Sequence, residues 1–455
     1  MMPSTQTTTS SSAATSDNLV VLDINNFFSP TGGGVRRYHL EKLRHLGERT
    51  DVDYHLVVPS DRKRIERYGR ATIHHLPAMP LGNSGYRSIL DPFAVRRVIR
   101  AVGPHVIEVG SPYLLPDLVR VAAAGSGARI VGFWHAHYPD AYMRRPLAGR
   151  PVLSRTAERF GWWWASRTYG RFDATIAAAD CLRGELASHG VDNVAIAPLG
   201  VDLELFSPMR RDASLRRSWG VCDDDVVLCF PHRFCGEKRL ETVIAAFQTV
   251  AAVAGRKVHI VFAGRGPGEG DVHALASRYP DQVHVMGFVD DRAEMARILA
   301  SADIVAALSP TETFGLSAAE AMASGAALIG VDALSVGDML AQSKGGLAVP
   351  DRDAPALAAA WLKLLDSTLT RRLGARSHAY ALTNFDWRET FDRILAVYRQ
   401  VASGMPARQE RRPRRTIPAA VATSGAPVGW AASVTAALEE EARLRARSAA
   451  ASGVS

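Results

Sequence analysis

The sequence predicts an α/β protein of two domains, each built on a parallel β-sheet, and three observations support this class. Apolar runs with the length of buried strands alternate with segments of helical periodicity in both halves of the chain. Such alternation favours parallel sheets with right-handed crossovers. Glycine-rich turns follow several of these runs, and 455 residues are too many for one typical core. We therefore expect two Rossmann-like domains.

The composition narrows the classes of function. An apolar content of 47% and a charged content of 22% are typical of globular proteins. The sequence has no run of 18 apolar residues, so we expect no transmembrane helix. The four cysteines, Cys181, Cys222, Cys229 and Cys235, lack the spacing of a metal site or a disulfide framework. A reducing, cytoplasmic location without a bound metal is the simplest interpretation.

The net charge of +8 is unevenly distributed. Residues 401–455 hold eight arginines against four glutamates, so the C-terminal tail carries +4 of the +8. For this reason we do not expect the folded body to bind nucleic acid. We expect the Ser- and Thr-rich leader at 1–17 and the basic tail at 404–455 to be largely disordered.

The first strand of the N-terminal half is followed by a glycine-rich turn. Residues 19–24 have the pattern of a buried strand, Gly33 and Gly34 lie in the turn, and a helical pattern covers 35–46. Because glycine lets the backbone approach an anion at a helix start, this order is typical of a phosphate-binding turn. The further strands of this half are predicted at 55–58, 106–109, 129–134, 174–177 and 194–197.

Two histidines follow the predicted strand at 129–134. His135 comes directly after it, and His137 follows two residues later. Open α/β sheets bind ligands at the carboxyl ends of their strands, so either ring is a candidate for an active site. His135 fits the strand end better, and His137 stays as the alternative.

Three adjacent tryptophans, Trp162, Trp163 and Trp164, lie in an Arg-rich segment at 155–171. Aromatic residues interleaved with arginines can lie in a lipid interface. Neighbouring residues of a helix are about 100° apart, however, so the three rings cannot share one face. We expect core packing with a partly exposed edge.

Two cations follow the first predicted strand of the C-terminal half, at 226–230. Arg233 and Lys238 lie between this strand and a predicted helix at 240–254. Two permanent cations at a strand end can stabilise negative charge on a ligand. The acidic run at 223–225 precedes the strand, away from its carboxyl end, and we interpret it as a solvated loop rather than a metal site.

Gly264 begins a second glycine turn, after a predicted strand at 258–263. The turn matches the dinucleotide fingerprint G-x-G-x-x-G only in part, because Glu269 replaces the third glycine. An oxidoreductase that binds NAD is therefore kept as an alternative function. Further strands are predicted at 283–286, 304–308 and 327–331, and a turn is predicted at 345–350.

The stretch at 309–325 passes from a predicted strand into an Ala-rich helix that ends in glycine. Glu312 and Glu320 lie eight positions apart, the first on the turn and the second on the helix. Between them, the amides of residues 314–316 would be unpaired donors of a helix start, which suit a diphosphate. One carboxylate could then hold sugar hydroxyls and the other a nucleotide ribose.

This stretch resembles the signature of the family 4 retaining glycosyltransferases, in which two glutamates enclose Phe314, Gly315 and Leu316. The resemblance implies the GT-B fold, in which two Rossmann-like domains face a central cleft and a C-terminal helix crosses back onto the first domain. It also implies that Glu312 contacts the donor sugar and that Glu320 contacts the nucleotide ribose.

Other segments resemble the same family in the same order along the chain. They comprise a glycine pair after the first strand, an active-site histidine that meets the transferring sugar, a diphosphate-binding pair and a glycine turn. The matching residues are Gly33, Gly34, His135, Arg233, Lys238 and Gly264.

The resemblance also divides the chain, with an interdomain hinge at 198–202. It implies an N-terminal acceptor domain at 18–205, a C-terminal nucleotide-sugar domain at 206–385 and a crossover helix at 386–403. The remaining 404–455 lies outside the resemblance.

The implied reaction moves a hexose from a GDP- or UDP-linked donor to a sugar or glycolipid, with retention of anomeric configuration and without a metal or other cofactor. The loop at 32–38 resembles that of members that mannosylate or glucosylate glycolipids, including phosphatidylinositol mannosyltransferases, and mannose is favoured over glucose. A lipid acceptor implies peripheral contact with an anionic membrane. A catalytically silent scaffold or binding protein of the same fold is the second alternative.

Overall fold

The computed structural model describes residues 18–29, 33–82, 85–147, 149–222, 225–255 and 258–404. The predicted leader at 1–17 and residues 405–455 of the predicted tail lie outside this part. So do Asp223 and Asp224 of the acidic run.

The strands of the described part form two large sheets and one two-stranded ribbon. In chain order they are β1 (Leu19–Ile24), β2 (Val52–Ser60), β3 (Arg64–Tyr68), β4 (Ala71–Pro77), β5 (Met79–Pro80), β6 (Arg87–Ser88), β7 (Val106–Val109), β8 (Arg129–Phe133), β9 (Ala174–Ala177), β10 (Val194–Ile196), β11 (Val226–Phe230), β12 (Val258–Ala263), β13 (Val283–Gly287), β14 (Ile304–Ala307), β15 (Ala327–Val331) and β16 (Gly346–Val349).

Helices alternate with these strands. They are α1 (Gly34–Gly47), α2 (Pro92–Val102), α3 (Leu114–Ala122), α4 (Pro151–Tyr169), α5 (Asp180–Ser188), α6 (Ala213–Ser218), α7 (Leu240–Ala254), α8 (Glu269–Arg278), α9 (Arg292–Ser301), α10 (Leu316–Ala323), α11 (Leu334–Ser343), α12 (Ala354–Lys363), α13 (Ser367–Asn384) and α14 (Trp387–Ala402). A π-helical turn covers Pro139–Arg144. Within the described residues, no helix combines the length and apolarity needed to cross a membrane.

Both large sheets have the strand order of a doubly wound fold. The N-terminal sheet has the order β10-β9-β8-β7-β1-β2-β4-β3, and the C-terminal sheet has the order β13-β12-β11-β14-β15-β16. Neighbouring strands are parallel except for β3 with β4. The order reverses beside β1 and beside β11, which opens a crevice at the carboxyl ends of the strands there. This confirms the predicted class of two Rossmann-like domains.

Two features differ from the sequence prediction. The turn predicted at 345–350 is wrong, since Gly346–Val349 form the edge strand β16 beside β15. A Cβ atom on Gly346 would lie 2.1 Å from the carbonyl oxygen of Leu328, so this glycine permits close strand approach. The antiparallel pair of β3 and β4 has no predicted counterpart; the prediction followed continuous apolar runs, whereas the residues of β3 and most of β4 alternate in burial.

Helix α14 crosses from the C-terminal half onto the N-terminal sheet. Asp386 caps its start by accepting a hydrogen bond from the amide of Arg388. Its buried face packs against α1, β7, β8 and β9. The main buried side chains of this face are Phe391, Ile394, Leu395, Tyr398 and Val401.

A buried charge cluster joins α14 to the N-terminal core. The Nζ atom of Lys42 lies 2.7 Å from Asp23 Oδ2 and 3.0 Å from Glu108 Oε1, and all three side chains are fully buried. The hydroxyl of Tyr398 accepts a hydrogen bond from Lys42 at 2.8 Å and donates one to Glu108. Removing Lys42 would leave two carboxylates buried without this cation.

We predict that Lys42→Met lowers the free energy of unfolding by about 3 to 5 kcal/mol, because the positive partner of Asp23 and Glu108 is lost. Urea unfolding followed by circular dichroism measures the change. Lys63→Met, at an exposed position just before β3, is the matched control and should change the free energy by no more than about 0.5 kcal/mol. Equal unfolding midpoints for the two variants would contradict a stabilising role of the cluster.

Candidate active site

The segment between β14 and α10 lies where the two halves of the chain meet. The hydroxyl of Thr313 donates a hydrogen bond to the backbone carbonyl of His135 at 2.8 Å. The Nη2 atom of Arg145 donates to the hydroxyl of Thr311 at 2.7 Å. The stretch that the sequence singled out is therefore in contact with the carboxyl end of β8 in the other sheet.

The start of α10 has unpaired backbone donors. Gly315 is its N-cap residue and has a φ of +82°, in the left-handed region that favours glycine. Phe314 is buried and packs edge-on against Phe385, with ring centroids 5.4 Å apart. The amides of Phe314, Gly315 and Leu316 have no acceptor within the described part of the chain. Such a helix start can bind an anion.

Lys238 and Glu312 form an ion pair beside this helix start. Lys238 Nζ lies 2.5 Å from Glu312 Oε1 and 3.2 Å from Glu237 Oε1. Burial acts to lower the pKa of Lys238, but the charges of Glu312 and Glu237 outweigh it and raise the pKa above its ordinary value. Lys238 is therefore charged at neutral pH. The hydroxyl of Ser335 donates to the backbone carbonyl of Glu312 at 2.6 Å and holds the loop.

Arg233 lies on the same side of the cleft as Lys238. Its guanidinium is exposed and interacts electrostatically with Glu237, the second partner of Lys238. Tyr142 lies in the π-helical turn of the N-terminal half. The charges of Arg233, Glu237 and Lys238 all act on its hydroxyl group. Burial, followed by the charge of Glu237, raises the pKa of Tyr142. The structure thus brings the two predicted cations together, opposite the N-terminal half.

Glu320 points from α10 toward a cation that the sequence did not indicate. Arg292 Nη2 lies 3.7 Å from Glu320 Oε1, and Arg292 Nη1 lies 3.3 Å from Asp202 Oδ2. Burial raises the pKa of Glu320, and the opposing effect of Arg292 and Arg37 only partly offsets it. Glu320 is therefore tied to the segment that joins the two halves of the chain.

The two candidate histidines have different surroundings. The His135 ring stacks on Phe133 with centroids 3.9 Å apart, and its Nε2 atom is buried without a partner among the described residues. Burial lowers the pKa of His135 well below its usual value, so the ring is neutral at pH 7. His137 instead bonds Glu185 at 2.9 Å and packs edge-on against Trp162. The backbone carbonyl of His135 is the group that contacts the Glu312 loop, through Thr313.

The predicted glycines fall into two groups. A Cβ atom on Gly34 would lie 3.8 Å from a Leu316 side-chain carbon, so the turn of Gly33 and Gly34 lies opposite the start of α10. Gly264 lies instead against β11, because a Cβ atom on it would be 2.0 Å from the carbonyl oxygen of His232. Gly264 therefore allows two strand ends to lie close together.

His232 contacts two elements of the site, β14 and α10. Its Nε2 atom lies 2.9 Å from the carbonyl oxygen of Ala306, and its Nδ1 atom lies 3.4 Å from the hydroxyl of Ser317. Burial lowers its pKa to about 4, so the neutral ring joins β14 to α10. Its place directly before Arg233, at a strand end, is the sequence signal that could have indicated it.

The hydrogen-bond donors and acceptors of the cleft suit an anion that is attached to a sugar. Arg233, Lys238 and the amides at the start of α10 can bind phosphate oxygens, and the carboxylate of Glu312 can accept hydrogen bonds from hydroxyl groups. Within the described residues, no cluster of three or more His, Cys, Asp or Glu side chains is arranged to hold a metal ion.

Two family models match the chain, one on each half. The model described as Glycosyltransferase Family 4 matches residues 32–205. The model described as Glycosyl transferases group 1 matches residues 225–367. Together they span the predicted site residues of both halves.

Two curated relatives are similar to most of the chain. The GDP-mannose-dependent alpha-(1-6)-phosphatidylinositol dimannoside mannosyltransferase of Mycobacterium tuberculosis is 31% identical over 311 residues, which cover 67% of this chain and 77% of the relative. A D-inositol 3-phosphate glycosyltransferase of Geodermatophilus obscurus is 32% identical over 407 residues, which cover 83% of this chain and 87% of the relative. One relative is named a mannosyltransferase and the other a glycosyltransferase, which supports a hexosyltransferase here.

The similarity to a solved structure supports the two-domain fold. A sucrose-phosphate synthase from Thermosynechococcus elongatus is similar with a TM-score of 0.67 and 19% identity, over 85% of this chain and 100% of that chain. The comparisons support the transferase interpretation and neither the NAD-dependent oxidoreductase nor the silent scaffold. The two family models, the relatives and the paired Rossmann-like sheets show that this chain belongs to the family 4 glycosyltransferases and has the GT-B fold.

Proposed function

We propose that the protein transfers a mannosyl group from GDP-mannose to a hydroxyl group of a glycolipid or sugar, with retention of anomeric configuration. The contact of Lys238 with Glu312 carries the proposal, because it puts a cation for the leaving phosphate beside a carboxylate for the sugar. The mycobacterial relative is named as GDP-mannose-dependent, which supports GDP-mannose as the donor.

The proposed reaction needs no group on the enzyme that attacks the sugar. The bond between C1 of mannose and the β-phosphate oxygen of GDP breaks, and a bond between C1 and the acceptor oxygen forms on the same face. The acceptor proton passes to the departing phosphate. The products are therefore the mannoside and GDP.

Positive charge near the leaving group provides the main stabilisation in this mechanism. Lys238 and Arg233 would contact the diphosphate, and the amides of residues 314–316 would bind its remaining oxygens. These donors act where negative charge grows as the glycosidic bond breaks. The mechanism therefore requires no metal ion or other cofactor.

The remaining predicted residues would orient the donor. Glu312 would accept hydrogen bonds from the mannose hydroxyls once the diphosphate takes over Lys238. Glu320 would hold the ribose hydroxyls, with Arg292 keeping its carboxylate in place. Gly34 would let the diphosphate lie close to the backbone opposite α10, and His135 would meet the mannose from the acceptor side.

A glycolipid acceptor requires access to a bilayer, and helix α4 has an exposed apolar face. Its exposed large apolar side chains are Val152, Leu153, Phe160 and Trp163, which are 47% to 78% exposed. Trp162 is buried by contrast, and Arg167 lies over the Trp163 ring at 5.9 Å. An amphipathic helix with aromatic and Arg residues is typical of an interfacial segment. We place the peripheral contact with an anionic membrane on this face.

We predict that Lys238→Ala and Glu312→Ala each lower the rate of mannosyl transfer by about two to three orders of magnitude, because each removes a contact to the reacting groups. Transfer of radiolabelled mannose from GDP-mannose to a membrane lipid extract measures the rate, and proton NMR of the product reports the anomeric configuration. The melting temperature should change little, since both side chains are partly exposed.

The matched control is Lys363→Ala, which removes an exposed lysine at the end of α12. It should transfer mannose at the wild-type rate. Wild-type rates for Lys238→Ala or Glu312→Ala would refute the assignment of these residues, and an inverted anomeric product would refute the mechanism.

We predict that the double change Phe160→Ser and Trp163→Ser weakens binding to phosphatidylglycerol vesicles at least tenfold, because burial of a large apolar side chain contributes about 1.5 to 3 kcal/mol. Co-sedimentation with vesicles measures the binding. Phe93→Ser on α2, where the side chain is 71% exposed, is the control and should bind as the wild type does. Unchanged binding of the double variant would move the membrane contact elsewhere.

A further inference from the structure

The exposed side of α4 combines apolar and basic side chains in one stripe. Val152 and Phe160 are eight residues apart and Trp163 follows three residues later, so the three lie on one side of the helix. Arg159 and Arg167 are exposed on the same side. Within the described part of the chain, Arg159 makes no ion pair, and Arg167 lies over the Trp163 ring. These five residues, the α4 stripe, therefore present apolar area and positive charge to a partner.

The chain leaves the described part close to α4. A Cβ atom on Gly404, the last described residue, would lie 3.6 Å from Nη2 of Arg129. Arg129 pairs with Asp173 at 3.1 Å, and Asp173 follows the end of α4 at Tyr169 by four residues. Residues 405–455 therefore continue from a point beside the C-terminal end of α4.

One stretch of the sequence after this point repeats the spacing of the α4 stripe. Trp430, Val434 and Leu438 are four residues apart, and Glu441 follows three residues later. This periodicity predicts a helix over 430–444, on which the four side chains share one face. The face is apolar with an acidic group in it, whereas the α4 stripe is apolar with basic groups in it. The two faces are therefore complementary in charge.

Residues 405–429 suit a linker between the two faces. They include four prolines and five arginines, and they lack helical apolar periodicity. A flexible chain of these 25 residues has an end-to-end distance of about 25 to 30 Å. The 19 residues of α4 span about 28 Å. The linker thus matches the length of the helix, and its effective concentration would be on the order of millimolar.

We infer that residues 430–444, the tail segment, form a helix that packs on the α4 stripe. Its apolar side chains would cover Phe160 and Trp163, and Glu441 would form an ion pair with Arg159. The gain is the burial of large apolar side chains that are otherwise exposed. The inference goes beyond the proposed function, because it concerns the tail and not the transfer site.

The packing has a consequence for the membrane contact that we place on the same helix face. An anionic bilayer offers apolar and negatively charged groups, as the tail segment does. The tail segment and the bilayer would therefore compete, and the tail segment would cover the α4 stripe until a bilayer replaces it. This consequence, unlike the packing itself, rests on the proposed membrane contact.

Photochemical crosslinking in the whole chain tests the packing. The photoreactive residue p-benzoylphenylalanine replaces Ala437, at the edge of the apolar face of the tail segment, or Ser424 in the linker as the matched control. We expect the probe at 437 to give crosslinks within one chain that tandem mass spectrometry maps to 151–167, in clear excess over the control. Crosslinks that join two chains, or that map elsewhere on the surface, would overturn the inference.

Variants of both faces show whether the crosslink depends on the proposed contacts. Phe160→Ser with Trp163→Ser should lower its yield about fivefold or more, because the apolar contact is lost, and Phe93→Ser on α2 should not change it. Glu441→Arg should lower the yield, and Glu441→Arg combined with Arg159→Glu should restore it. Equal yields in all these variants, or no restoration by the charge exchange, would overturn the inference.

Co-sedimentation with phosphatidylglycerol vesicles separates packing on α4 from binding of the tail segment to lipid. Val434→Ser with Leu438→Ser should strengthen vesicle binding, because the competing tail segment is removed from the α4 stripe. Weaker binding of this variant would show that the tail segment itself binds lipid and would overturn the inference. Unchanged binding together with the crosslinks to 151–167 would contradict only the proposed membrane contact.

Discussion

The cleft depends on keeping several positive charges close together before a substrate is bound. Lys238 is held by Glu312, and Arg292 is held between Asp202 and Glu320. Without these carboxylates, the cations of a partly buried cleft would be destabilised by desolvation and mutual repulsion. In the proposed function, each glutamate that holds a donor group is therefore also the partner of a cation. Binding of the donor would replace the ion pair of Lys238 with Glu312 by an ion pair of Lys238 with the diphosphate.

The N-terminal side of the cleft depends on a second charge network. The cluster around Lys42 reaches His39, whose ring lies 2.8 Å from the Asn25 amide nitrogen at the end of β1. The hydroxyl of Ser111, after β7, donates to the Asn25 side chain at 2.7 Å. Tyr398 of α14 closes the same network. The last helix of the described chain thus joins the network at the strand ends on the N-terminal side of the cleft.

Local patterns in the sequence predicted the central strands of both sheets, but not β3, β4 or the edge strand β16. Buried parallel strands such as β11 are continuous apolar runs, and the cations and glutamates follow such runs directly. The contacts of Thr313 with His135 and of Arg145 with Thr311 could not be predicted, because they join residues 178 and 166 positions apart. The different contacts of the His135 and His137 rings likewise depend on the fold.

The most direct test of the central claim is thermal unfolding of the wild-type protein with GDP, UDP, ADP and NAD in parallel, each at millimolar concentration. A ligand that binds only the folded state raises the melting temperature. A donor site for GDP-mannose predicts a rise with GDP that exceeds the rise with each of the other nucleotides. A rise with NAD and none with GDP would contradict the proposed transferase site.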